Sequence, residues 1–137
     1  MSNGLHVEVI GHDGDAVVLR VKSRNGAFAG CADCHVGHDT FARLAGALRG
    51  FPTSRTDRRD VTVGTFDPGR PGGGVRLVFE CGATGSRVAV NVTVRAESGE
   101  VASFTFPAEV AAMNEFVAQL ERARISTGVF AALYQAT

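Results

Sequence analysis

The chain has 137 residues, and 14 Lys plus Arg balance 14 Asp plus Glu. That length suits one domain able to bury a core without disulfides. Zero net charge gives no general pull towards nucleic acid or an anionic membrane, and no apolar run is long enough to span a bilayer.

Leu5, Val7 and Val9 alternate with His6, Glu8 and Ile10, which predicts a first strand. His12-Asp13-Gly14-Asp15 is a turn, with Asp-Gly as the hairpin signal. Val17, Leu19 and Val21 mark a second strand, and Asn25-Gly26 a second turn. Residues 27–36 read as a third strand, rich in small side chains. Asp39 is the predicted N-cap of a first helix whose apolar face is Phe41, Leu44, Ala45 and Leu48. Gly50 ends that helix and Pro52 forbids its return. Residues 53–60 read as a polar surface loop, in which Asp57 and Asp60 interleave with Arg55, Arg58 and Arg59. Val61 and Val63 begin a fourth strand that runs to about Phe66. The glycine-rich residues 67–74 lack the Lys-Ser/Thr of a phosphate loop and read as a mobile connection.

Residues 74–95 carry the strongest signal. Val75, Leu77, Phe79 and Cys81, then Val88, Val90, Val92 and Val94, fall at every second position around a short turn, which predicts a hairpin with one dry face. A further strand places Ala102, Phe104 and Phe106 on one side. Pro107 suits the first turn of a second helix, with the stripe Val110, Met113, Phe116, Val117 and Leu120. Residues 129–134 are apolar enough to dock as a short helix or an edge strand. These elements predict a single α+β domain over residues 1–137: one antiparallel sheet of six to seven strands, with both helices packed on one face. The opposite face is expected to be open and to carry Arg20, Arg76, Glu80, Arg87, Asn91 and Arg95, the predicted binding residues.

Cys31-Ala32-Asp33-Cys34-His35 has the spacing of c-type haem attachment. On a strand, however, Cys31 and Cys34 point to opposite faces, because their separation is odd. A zinc site would draw on Cys31, Cys34, His35, His38 and Cys81, but the second C-x-x-C that would strengthen that reading is missing. Cys31, Asp33 and His35 share one strand face and are the best catalytic candidates. The preferred reading assigns no cofactor, no metal and no catalytic residue. It makes Cys34 and Cys81 small apolar core residues. Three cysteines in a chain opening Met1-Ser2-Asn3-Gly4, with no secretory signal, predict reduced thiols and a cytoplasmic location.

The run FARLAGALRGFP from Phe41, the alternating strands, and then FPAEVAAMNEFVAQLE resemble a family of small uncharacterised bacterial α+β proteins, some of them immunity-like. The resemblance implies the central antiparallel sheet and the C-terminal helix. It carries no catalytic residues, and its implied role is binding a protein partner. The expected function is therefore a non-enzymatic protein-interaction module, acting through a protein partner or self-association, with neither nucleic acid nor membrane as partner. The alternatives are a metal- or thiol-dependent protein using Cys31, Cys34, His35 and His38, and a small-molecule-binding domain with a pocket between helices and sheet.

Overall fold

Period-two alternation builds eight strands in the computed structural model, which describes residues 2–137. In chain order the elements are β1 (Gly4–His12), β2 (Val17–Arg24), β3 (Ala29–Val36), α1 (Thr40–Leu48), β4 (Arg58–Gly64), β5 (Gly74–Cys81), β6 (Arg87–Arg95), β7 (Val101–Glu109), α2 (Val110–Arg122) and β8 (Phe130–Tyr134).

The order of elements is as the sequence predicts, but the single sheet of six to seven strands is not formed. The strands make two separate four-stranded antiparallel sheets, β3-β2-β1-β8 and β4-β5-β6-β7. The reason is physical. Alternation shows that a strand has one dry face, and two sheets stacked face to face satisfy that need as well as one sheet under helices does. The deciding pairing is also remote in sequence. The last strand returns to the first, with Gly4 opposite Tyr134 and Glu8 opposite Phe130.

One core joins both sheets. Leu5, Val7, Leu19 and Val21 from the first sheet share it with Leu77, Phe79, Val90, Val92 and Phe106 from the second. The helices do not lie together on one face of one sheet. They pack on each other, α1 against β4, and α2 against β7 and β8, so they bridge edges of both sheets. Phe41, Leu44, Ala45 and Leu48 of α1 and Met113, Phe116, Val117 and Leu120 of α2 are buried as the stripes predict, and Val110, the first residue of the predicted α2 stripe, is only partly buried.

The small residues of β3 have a purpose that their weak strand signal hid. This strand crosses β4, β5 and β6, and its inward positions are Gly30, Ala32 and Cys34. A Cβ built on Gly30 would lie 3.0 Å from the Val94 side chain, and one on Gly73 3.0 Å from the Ala32 Cβ. Larger side chains would hold the sheets apart. The end of the glycine-rich stretch is accordingly a packed joint and not a mobile loop. Gly72, Gly73 and Gly74 are buried, and the Gly73 N–H donates to the Asp33 carbonyl at 2.8 Å.

Four local expectations are also corrected. β4 begins at Arg58, inside the stretch predicted as loop. Asp39 stands at the head of α1 but makes no side-chain cap hydrogen bond. Pro107 lies in β7, not in a helix. It is tolerated there because β7 is an edge strand and a proline can sit where no ladder N–H is needed. Cys81 is only half-buried, with its thiol 3.2 Å from the Ser54 carbonyl.

Candidate functional site

The Cys-Ala-Asp-Cys-His segment is a strand, and it separates its cysteines as the odd spacing requires. Cys34 is fully buried and Cys31 is exposed on the other face. Burial, with smaller contributions from Asp33 and Cys31, pushes the Cys34 thiol up to about 12. His38 Nε2 sits 2.8 Å from the Asp13 carbonyl oxygen, in the first hairpin turn. Among the described residues, no three His, Cys, Asp or Glu side chains are arranged to hold a metal ion.

Cys31, Asp33 and His35 do share the outer face of the first sheet. Asp33, however, accepts two hydrogen bonds from Arg20, at 2.9 and 3.0 Å, and these hold its carboxyl below the usual carboxylate range. Cys31 and His35 stand four residues apart on an extended strand, about 13 Å at the usual rise. A nucleophile and its base need hydrogen-bond contact, so this column is not a catalytic set.

The six predicted binding residues do not share one face. Arg20 belongs to the first sheet and the other five to the second. Arg76 is bonded to Asp60, Glu80 to Arg58 at 3.1 Å, and Arg87 to Glu109 at 3.3 Å and to the Thr137 carbonyl. Asn91 accepts from the Thr105 hydroxyl. Arg95 is 8 % exposed, and its Nη1 has no hydrogen-bond partner among the described residues. The outer face of the second sheet is thus a ladder of satisfied cross-strand pairs, in which exposed ion pairs each contribute roughly 0–1 kcal/mol.

The edges of the sheets differ more than their faces do. Each four-stranded sheet has two edges, and an unpaired edge is a template for another strand. Three of the four are engaged at single points by specific bonds. On β8, the Ala132 N–H donates to the Gln119 side chain of α2 at 2.8 Å. On β3, the Asp33 carbonyl accepts from Gly73. On β7, the Thr105 carbonyl accepts from the Asn25 side chain at 3.0 Å, and the Pro107 carbonyl from the Ala136 N–H at 2.8 Å.

β4 is the exception. The Thr65 N–H donates to the Gly73 carbonyl just beyond the strand, which fixes the phase of the β4–β5 ladder. In an antiparallel pair the inward-bonding residues alternate, so Val61 and Val63 bond β5 while the N–H and C=O of Asp60 and Thr62 point outward. Among the described residues, no protein group bonds those outward atoms. They open on a groove of about 540 Å³ between β4, the end of β3 and α1. Its walls are Thr40, Arg43, Leu44 and Ala47 of α1 on one side and residues 35–37 on the other. Arg59 supports this geometry from behind. Its guanidinium chelates Asp57 and donates to the Ala47 and Arg49 carbonyls at the end of α1, which ties the helix to the strand. Charged residues on a short edge strand are a usual device against unwanted pairing. The Arg-Arg-Asp start of β4 was therefore the sequence signal for this edge.

No family model, curated protein or solved structure matches the chain.

Proposed function

We propose that this protein is a non-enzymatic interaction module that takes an extended segment of a protein partner along the outer edge of β4. The observation that carries this reading is the contrast among the four edges: β3, β7 and β8 each have at least one outward backbone group bonded by another part of the described chain, and β4 has none. Strand addition uses such groups for affinity and flanking pockets for specificity. The separated Cys31 and Cys34 leave the metal- or thiol-dependent alternative without a ligand set. The core between helices and sheets is filled by Phe41, Leu48, Met113 and Phe116, and the β4 groove is itself an opening between a helix and a sheet.

Thr62→Pro tests the proposal. Proline removes only the outward N–H at this position, and edge strands tolerate that. The variant should melt within a few degrees of wild type. Heptapeptides displayed on phage and selected on the wild-type protein should lose their enrichment on the variant. Equal enrichment on both proteins, or none on wild type, would remove β4 from consideration.

A further inference from the structure

The charges around the β4 groove are unbalanced. Three of the residues lining the groove are ionisable: Asp60 of β4, Arg43 of α1 and His35 of β3. Asp60 is the only carboxylate, and it is already engaged. Arg76 hydrogen-bonds it and Arg58 lies 3.7 Å away, and these cations hold its carboxyl below the usual carboxylate range. Arg43 is exposed on α1 and makes no ion pair or side-chain hydrogen bond among the described residues. Every other wall residue is neutral. A segment entering the groove therefore meets one unengaged guanidinium, an imidazole, and a carboxylate whose charge is cancelled from the outer face.

We infer that the segment taken by β4 is acidic: an extended stretch of a partner protein whose carboxylates are read by Arg43. The inference rests on the strand-addition reading and adds the partner's chemistry to it. Backbone bonds to Asp60 and Thr62 are blind to sequence, so discrimination falls to the groove walls. A planar guanidinium without an internal partner is suited to pair with a carboxylate in a fork of two hydrogen bonds. A lysine in the segment would meet Arg43 with like charge, and like charges across an interface repel. A second copy of this chain fits less well. The edge it would present is β4 itself, which begins Arg58-Arg59 and carries as its one carboxylate the Asp60 already committed to Arg76.

The probes are three labelled heptapeptides, matched in length to the seven residues of β4. Valine alternates with glutamate, lysine or serine, and binding is read by fluorescence anisotropy at low and at physiological salt. The glutamate peptide should bind tightest and the lysine peptide at least about tenfold more weakly, with the gap narrowing as salt rises. Arg43→Glu should reverse the order of glutamate and lysine, and Arg43→Gln should flatten it. Both variants alter an exposed helical position, and their melting curves should overlay that of wild type. Equal binding of all three peptides, abolished by Thr62→Pro, would overturn the acidic preference and leave strand addition standing. A dimer seen by sedimentation, dissociated by Thr62→Pro and binding no peptide, would assign the edge to a second copy and overturn the inference. A monomer that binds none of the peptides would overturn the inference and the strand-addition reading together.

Discussion

The two sheets are joined in two different ways. Along β3 they meet through Gly30, Ala32 and Cys34, set against Val94, Gly73 and Gly64. Elsewhere Phe41, Leu48, Met113, Phe116 and Leu120 of the two helices fill the shared core. One region is built from the smallest side chains and the other from some of the largest. The spacing of the sheets is thus set by side-chain volume. The β3 region should fail when atoms are added, and the helical region when atoms are removed. The same contrast positions the groove, because α1 stands beside β4 at the point where the end of β3 passes it.

The largest expected effect is on the helical side. Phe116 is 1 % exposed in the core between α2 and the sheets. Phe116→Ala should cost about 3–5 kcal/mol, the lost transfer energy plus the cavity left behind. Denaturant unfolding checks this. A loss below about 1 kcal/mol would mean that the helices are not what fills that side.

On the β3 side the sensitive change is an addition. A Cβ on Gly73 would collide with the Arg95 carbonyl oxygen, a backbone atom that cannot rotate away, and would press on Ala32. Gly73→Ala should cost about 1–3 kcal/mol through overpacking. Gly46, on α1, is the control, since a Cβ there meets nothing within 4 Å. Gly46→Ala should stabilise the protein by about 0.5–1 kcal/mol, because alanine loses less freedom in a helix. If both variants moved in the same direction, the volume argument would be wrong.

The two regions also differ in how plainly the sequence announces them. The helical stripes and the 74–95 hairpin were legible because burial of large residues leaves a periodic trace. Phe41, Leu44 and Leu48, or Val88, Val90 and Val92, declare their faces by spacing alone. The β3 contact left no such trace. Glycine and alanine read as turn or filler, yet Gly30, Ala32 and Gly73 are where the sheets touch. The number of sheets was hidden for a related reason: the pairing of β8 with β1 joins the two ends of the chain, and no local pattern encodes it. Of the predicted site, the sequence supplied the residues but not their assembly. Arg76, Glu80, Arg87 and Asn91 are on one outer face, but they are occupied by one another's neighbours. The edge contrast rests on single hydrogen bonds made by Gln119, Asn25 and Gly73 that only the folded chain reveals.

The last comparison sharpens the β3 side by pH. Cys34 is held there without solvent contact, and burial pushes its thiol up to about 12. An unfolded cysteine releases its proton near 8.5. The folded value is the higher one, so this group's contribution is complete below about pH 8.5 and declines as pH rises towards 12. Over that range the unfolded chain loses a proton that the native chain keeps, and stability should fall by about 1.4 kcal/mol per pH unit from this group alone. Cys34→Ala removes the titration and opens only a small void. Its stability at pH 8 should lie slightly below wild type, and its alkaline decline should be shallower. Urea midpoints for the two proteins between pH 8 and pH 10.5 provide the measurement. Converging curves place the thiol between the sheets, shielded from water. Parallel curves would mean that water reaches Cys34, and that the sheets do not close along β3.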